Sequence, residues 1–353
     1  MYFRKMNLFK IILSPLALLY CLTTSFRNSL FNWGVFKQYR SSIPVLSIGN
    51  LSMGGTGKTP HVAFVLENTS NINTAVISRG YRRQSKNLIE GNKTLHTSND
   101  LGDEPMELLE KFDGDDFKMI VESNRAKALK YLEQQEGRTD LVVLDDGFQH
   151  QYAQRDLNVL LTEFNKPFYQ DFILPLGTLR ERRKGANRAD IIIVTKCPEN
   201  ISQDDQKEIK TQIAAYSSAK VLFSRIKYKG FLDRADKNIK LEQNKTHLVV
   251  TGIANPNLIY KHLQDHNIKF ESMKFADHHN FTSKELDKIL KKAKNYKGLI
   301  TTEKDWMRLR EYPNITASTT PIFRLKIGVG FINEEQNNEF NTHLNSLIHN
   351  REN

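Results

Sequence analysis

The chain has 353 residues, 39% hydrophobic and 26% charged, with a formal net charge of +11. Such a composition is ordinary for a soluble globular protein, so disorder is not the default, and the length suffices for two domains with their own cores. The positive balance calls for an anionic partner, whether nucleic acid, an anionic membrane or a phosphorylated substrate. Two distant cysteines, Cys21 and Cys197, exclude a disulfide framework and a cysteine-based zinc site.

Residues 1–43 contain Arg4, Lys5, Lys10, Arg27, Lys37 and Arg40 and no acidic residue. The apolar run at 11–22 is shorter than the roughly 20 residues a spanning helix needs, and Thr23-Thr24-Ser25 is a poor signal-peptidase site. The expectation is an uncleaved amphipathic helix lying in a membrane interface, with Phe26, Phe31, Trp33 and Phe36 dipping in. A helix packed on the protein's own core has the same pattern and is the alternative.

From residue 44 to 228 short β-rich runs alternate with helical segments. The runs 74–78, 118–121, 141–144, 157–161 and 190–194 are nearly continuous apolar stretches, as strands buried on both faces are. Helices are expected at 122–136 and 204–215. The first strand, ending near Asn50, runs into Ser52-Met53-Gly54-Gly55-Thr56-Gly57-Lys58-Thr59-Pro60. Glycines let backbone N–H groups turn around an anion, a lysine adds a point charge for the β/γ-phosphates, and a threonine hydroxyl can ligate Mg²⁺. Gly54, Gly55, Thr56, Gly57, Lys58 and Thr59 are therefore nucleotide-binding candidates, although Ser52 stands where the usual motif has its first glycine. A polar, lysine-rich stretch at 227–245 follows. The α/β pattern then resumes, with strands at 246–250, 270–275, 299–302 and 322–327 and helices at 255–265 and 283–296. The predicted architecture is an α/β, phosphate-loop NTPase-like, mostly parallel sheet covered by helices, with a second, smaller α/β unit. The expected division is 1–43, 44–228 and 229–353.

Other stretches carry chemistry. The strand at 141–144 ends in Asp145-Asp146-Gly147-Phe148-Gln149-His150. A carboxylate at such a strand end holds Mg²⁺ directly or through water, which makes Thr59, Asp145 and Asp146 the metal candidates; Asp146, Gln149 and His150 are also placed to contact nucleotide. Paired aspartates there are also plain turn chemistry. Gly102-Asp103-Glu104-Pro105 precedes a helical run, so Asp103 or Glu104 is either an N-cap or a general base. Asp277-His278-His279-Asn280-Phe281 is a poor metal set, since adjacent histidines seldom point at one ion; an Asp–His pair that orients an acid/base is one reading and a solvated loop the other. Ser78-Arg79-Gly80-Tyr81 and the basic loop at 174–184 suit phosphate or sugar contact, or are solvated basic faces. Thr195-Lys196 and Lys304-Asp305 are strand-end polar pairs that either touch the base or ribose or do neither. No nucleic-acid motif is present.

Taken together, these stretches resemble the tetraacyldisaccharide 4'-kinase (lipid A 4'-kinase) family. The likeness runs from the N-terminal apolar segment to about Arg308, adding Gly252-Ile253-Ala254-Asn255-Pro256 and Thr302-Glu303-Lys304-Asp305 to the motifs above. It implies phosphorylation of the 4'-hydroxyl of a tetraacylated glucosamine disaccharide, with ATP and Mg²⁺, at the cytoplasmic face of the inner membrane. Under it Asp103 is the general base and His278 its partner, with His279 the alternative; Lys58 serves the transferring phosphate, Gln149 and His150 the nucleotide. Substrate contacts are expected from Asn50, Ser78, Arg79, Tyr81, Arg125, Arg180 and Glu181. Ser52 fits the family, which carries a small hydroxyl residue there. The expected partners are the acylated lipid and the membrane surface, not nucleic acid, and the expected state is a monomer. Closure of two units is expected to assemble the site. Two other readings compete: a phosphate-loop kinase or ligase for a soluble metabolite, and a regulatory NTPase.

Overall fold

The computed structural model describes residues 8–349, apart from Arg82, Asp113, Ala254 and His278. Contacts divide the chain into two units that interleave in sequence, residues 1–79, 114–226 and 329–353 forming the first and residues 80–113 and 227–328 the second. This differs from the linear division at 43 and 228. Residues 80–113 leave the first unit as an excursion between two of its strands, and the C-terminal helix returns to it.

In chain order the first unit contributes α1 (Leu8–Asn32), β1 (Val45–Asn50), α2 (Lys58–Asn68) and β2 (Thr74–Ser78). The excursion holds β3 (Ile89–Glu90), α3 (Ser98–Leu101) and α4 (Asp103–Lys111). Then follow β4 (Phe117–Val121), α5 (Arg125–Gln134), β5 (Leu141–Asp145), β6 (Leu157–Glu163), β7 (Ile191–Thr195) and α6 (Gln203–Ala214). The long β8 (Lys220–Leu232) carries the chain into the second unit, with β9 (Asn238–Ile239), β10 (His247–Thr251), α7 (Asn257–Asp265), β11 (Phe270–Lys274) and α8 (Ser283–Ala293). There β12 (Leu299–Thr302), α9 (Glu303–Leu309) and α10 (Pro313–Thr316) precede β13 (Ile322–Phe331), which leads back to α11 (Glu334–His349) in the first unit.

The first unit's sheet is parallel, in the order β8-β7-β6-β1-β5-β2-β4. Its inner strands β1, β2, β5 and β7 are buried along their whole length, the continuous burial of strands covered on both faces of a parallel sheet. The central strand is β1, in register with β5 on one side (Ile48 opposite Asp145) and β6 on the other. Hence the phosphate loop and the Asp145-Asp146 pair leave neighbouring strands at the same sheet edge, where ligands of open α/β sheets bind. In the second unit β11-β10-β12-β13 are parallel, and Val249, Leu263, Ile300 and Leu325 form its core.

Several elements were not foreseen, β8 and α11 the longest of them. In β8 the part from Lys227 showed only as a polar, lysine-rich stretch, because this strand is half-exposed there and its lysines face solvent. In α11 the apolar face reduces to Phe340 and Leu344 among polar residues; Phe340 seats its ring against Phe64 and Phe331.

The first helix is the inverse of a soluble surface helix. Ile12, Leu16, Leu18, Leu19, Leu22 and Phe26 are all more than half exposed, as is Trp33 just beyond it at 70%. The opposite side is fastened by polar contacts: Tyr20 Oη donates to Arg180 O (3.0 Å), Arg27 Nη2 to Gln149 O (3.0 Å), and Asn28 Nδ2 to Glu181 Oε2 (2.8 Å). Phe31 departs from the expected outward set. At 7% exposure it packs edge-on against Phe36 and Tyr152, since the chain turns back there to pair Tyr39 with Ala153. Among the described residues no helix is long and apolar enough to cross a membrane.

Candidate active site

In the first unit, α2 begins directly at the loop. Gly57 occupies its N-cap in the left-handed region (φ +90°), a conformation that penalises any side chain. No side chain caps this helix end, so the amides of its first turn offer an anion their unpaired hydrogens and the positive end of the helix dipole. Lys58 Nζ lies 3.9 Å from Asp146 Oδ1, and Thr59 is buried on the same turn. Asp145 is buried at the end of β5, its Oδ2 accepting from Ser78 Oγ at 3.2 Å. Asp146, at φ +54°, receives a forked pair from Arg180, Nη1 at 2.9 Å and Nη2 at 2.8 Å. Burial pushes the Asp146 carboxyl up, but Lys58 and Arg180 outweigh it and hold the group well below the usual carboxylate range.

The basic loop at 174–181 lies on the phosphate loop. Met53 N donates to Thr178 O (2.7 Å) and Arg180 N to Leu51 O (2.8 Å). Arg180 also donates to Asn50 O at 2.9 Å, and Gln149 Nε2 reaches Asn50 O (2.9 Å) and Glu181 Oε1 (3.0 Å). Glu181 is buried and accepts from Arg188 and Asn28 as well, which gives it a bracing position beneath the loop. Asn50 is likewise buried, with Nδ2 on Thr56 Oγ1 at 2.7 Å. Of the expected substrate contacts in this unit, Arg79 is exposed, Arg180 is partly exposed, and Ser78 is buried against Asp145.

Arg125 opens α5 and is fully buried, with Nη1 on Glu122 O (2.7 Å) and Nη2 on Asp145 O (3.1 Å). Its Nε is buried without a hydrogen-bond partner among the described residues. Burial lowers its guanidinium to about 10 in spite of Asp145 and Asp146 nearby. Beside it, His150 is pushed down to about 3, by burial first and then by the Arg125 charge, so its ring is neutral. Both line a cavity of about 580 Å³ with Lys37, Tyr39, Lys130 and Tyr152.

In the second unit Asp103 is the first residue of α4, and the N-cap is Gly102, not an acidic side chain. Gly102 has φ +95°, and a Cβ there would come within 3.0 Å of Tyr81 O, so this turn requires glycine. Asp103 Oδ2 faces Arg308 Nε at 3.4 Å. Arg308, buried on α9, also holds Asp305 Oδ1 (2.5 Å) and His279 O (2.6 Å), while Asp305 Oδ2 accepts from Gly252 N at 3.0 Å. Lys304 Nζ lies 3.6 Å from Glu104 Oε1 and 3.7 Å from Asp277 Oδ1. A second tie runs through Lys111, which pairs with Glu107 (2.8 Å) and Glu303 (3.1 Å) and so fixes α4 to α9. The sequence motifs at 102–105, 252–256, 277–281 and 302–305 therefore converge on one ionic web. Tyr81, exposed, lies in this unit beside Gly102.

His278 lies outside the described residues. The alternative, His279, has its Nε2 on Glu285 at 3.1 Å, within the capping box that starts α8. Sequence reasoning missed Arg308, the centre of the web. It follows the Thr302–Asp305 motif by three residues, the spacing that puts it on the face of α9 that carries Asp305. It also missed Tyr20, Arg27 and Asn28, whose signal was polar residues spaced along one side of an otherwise apolar helix.

A parallel sheet whose central strand feeds a glycine-rich loop into a helix, with two carboxylates at the end of the adjoining strand, defines a phosphate-loop nucleotide-binding protein. The family described as tetraacyldisaccharide-1-P 4'-kinase matches residues 9–349. Proteins named tetraacyldisaccharide 4'-kinase from Flavobacterium psychrophilum and Flavobacterium johnsoniae are 40% and 38% identical to the chain. Those matches span 94% of this chain and 95% and 96% of theirs. A crystal structure of LpxK from Aquifex aeolicus in complex with ATP superposes with a TM-score of 0.73 at 25% identity, covering 98% of this chain and 99% of that one. The chain belongs to the tetraacyldisaccharide-1-P 4'-kinase family, and its activity is that of a kinase.

Proposed function

We propose that the protein transfers the γ-phosphoryl group of ATP to the 4'-hydroxyl of a tetraacylated glucosamine disaccharide 1-phosphate, at the cytoplasmic face of the inner membrane. The observation that carries the lipid substrate is α1, whose polar side is tied to Arg180, Gln149 and Glu181 while Leu16, Leu18, Leu19 and Leu22 face outward. A soluble acceptor gives no reason to expose that much apolar surface next to the nucleotide loop. Seated in the interface, α1 sets the site at headgroup depth, and the cavity lined by Lys37, Arg125 and Lys130 suits the anionic sugar headgroup.

ATP is held by the amides and Lys58 of the phosphate loop; the 3.9 Å contact of Lys58 with Asp146 is loose enough to yield to phosphate. Among the described residues no group of three or more His, Cys, Asp or Glu converges as metal ligands. The oxygens present fit Mg²⁺ bound the way kinases bind it, through one or two protein ligands plus substrate phosphates. Thr59 and Asp145 would hold it, with Asp146 kept ionised beside them. Bound there, Mg²⁺ supplies neutralisation of charge on the β- and γ-phosphates.

Asp103 accepts the proton of the 4'-hydroxyl as that oxygen attacks phosphorus. Arg308 holds the carboxylate in place, and the family resemblance assigns His278 as the partner of Asp103. Positioning and electrostatics, with Lys58 and the arginines around the transferring group, supply most of the rate. The test is transfer of ³²P from labelled ATP to a tetraacyl disaccharide 1-phosphate in mixed micelles, compared with hydrolysis lacking acceptor. The reading expects labelled lipid that requires the acceptor and little free phosphate. Rapid hydrolysis without labelled lipid contradicts it and favours a switch NTPase.

A further inference from the structure

The phosphate loop is held from behind. The carbonyls of residues 54–57 each accept a hydrogen bond from a side chain outside the glycine run: Gly54 O from Asn50 Nδ2 (3.4 Å), Gly55 O from Lys196 Nζ (2.5 Å), Thr56 O from Thr195 Oγ1 (2.9 Å) and Gly57 O from His61 Nδ1 (2.7 Å). A trans peptide points its N–H opposite its C=O. Fixing these four oxygens therefore fixes where the N–H groups of residues 55–58 point. Thr56 N turns back to Gly54 O at 3.1 Å, and the amides of Gly55, Gly57 and Lys58 are left directed away from the tethers.

The tethers are themselves braced. Lys196, at φ +57°, is anchored by Glu163 at 2.5 Å, and Glu163 lies in register with Thr195 across β6 and β7. His61 is buried, and its Nε2 meets Ser224 Oγ at 3.0 Å. Since a carbonyl only accepts, Nδ1 carries the hydrogen; burial keeps the ring neutral, so Nε2 accepts from the serine hydroxyl.

We infer that Lys196, Thr195 and His61 are positioning residues that pre-organise the phosphate loop, aiming its amides before nucleotide arrives. A flexible glycine loop must otherwise lose its backbone freedom on binding, and a scaffold that has already fixed it binds more tightly for the same contacts. Thr195-Lys196 thereby acts on the loop and not on the base or ribose. The inference rests on ATP occupying this loop.

The experiment measures binding of ATP and of inorganic tripolyphosphate, which lacks base and ribose, by calorimetry on the full chain. Thr195→Val removes one hydroxyl at near-constant volume; Lys196→Met removes one donor at similar length. Each is expected to weaken both ligands by the same factor, about tenfold. His61→Leu should do likewise, and His61→Gln, which keeps an N–H donor, should recover most of the loss. Thermal unfolding of each unliganded variant reports folding, and a cooperative transition near that of the parent is expected. Loss of ATP affinity with tripolyphosphate binding unchanged places Lys196 on the nucleoside and overturns the inference. So does binding of both ligands within twofold of the parent in folded Thr195→Val and Lys196→Met. If the parent itself binds neither ligand, it is the ATP reading that fails.

Discussion

The two units build their functional groups in opposite ways. In the first, the ligand-facing atoms are main-chain amides on one contiguous turn, and side chains from β1, α2 and β7 hold that turn from behind. In the second, the functional atoms belong to side chains, with Asp103 held by Arg308 within a web drawn from four separate segments. A backbone site tolerates variation in the side chains it presents but depends on conformation; a side-chain site depends on a single partner keeping its charge and reach. Under the proposed function, phosphate binding belongs to the first kind and proton transfer to the second.

The comparison breaks most visibly at the charges. Lys58→Ala should lower kcat/KM by about 10³-fold, the order found when one stabilising group is removed from a transition state, and the phosphoryl-transfer assay reads it. Arg308→Met should lower kcat by about tenfold or more with the KM for ATP little changed, because it frees Asp103 without touching the phosphate loop. A parallel rise in KM for ATP would show that the units do not separate binding from proton transfer. Leu16→Ser with Leu19→Ser should reduce sedimentation with anionic liposomes by about tenfold and raise KM for the lipid while leaving ATP binding intact. Unchanged partitioning would return α1 to a protein-packing role.

The smallest effect concerns acid. Burial lowers His61 to about 4 from the ordinary imidazole value of 6.5. As pH falls below 6.5 the unfolded chain takes up a proton that the folded chain refuses, so stability is lost between pH 6.5 and about 4. His61→Gln should flatten that part of the stability–pH curve in urea titrations; an unaltered slope would mean the ring is accessible to protons.

The fold was legible where one physical signal dominates. Fully buried parallel strands such as Ile191–Thr195 announce themselves as apolar runs, and the helical pattern from 283 marked α8. The phosphate loop was legible because all its chemistry lies within a dozen consecutive residues. What the sequence concealed was assembled across distance. The lysine-rich exposed half of β8 reads only as a polar stretch because a strand solvated on one side has no apolar run. Arg308 reads as a surface arginine until Asp103, Asp305 and His279 O are seen around it. Phe31 looked like Trp33, and only the turn back toward Ala153 decides that one ring is buried and the other exposed. Thr195-Lys196 was visible as a polar pair, but its target, the back of the loop, was not.

The proposed mechanism makes Asp103 the base of the phosphoryl transfer. Single-turnover transfer by Asp103→Asn, with ATP affinity measured on the same preparation, tests it most directly. Loss of the base should lower the transfer rate by about 10²- to 10⁴-fold, the usual contribution of a positioned acid or base, with the Kd for ATP within twofold of the parent. Transfer near the parental rate, or a loss matched by an equal loss of ATP binding, would contradict it.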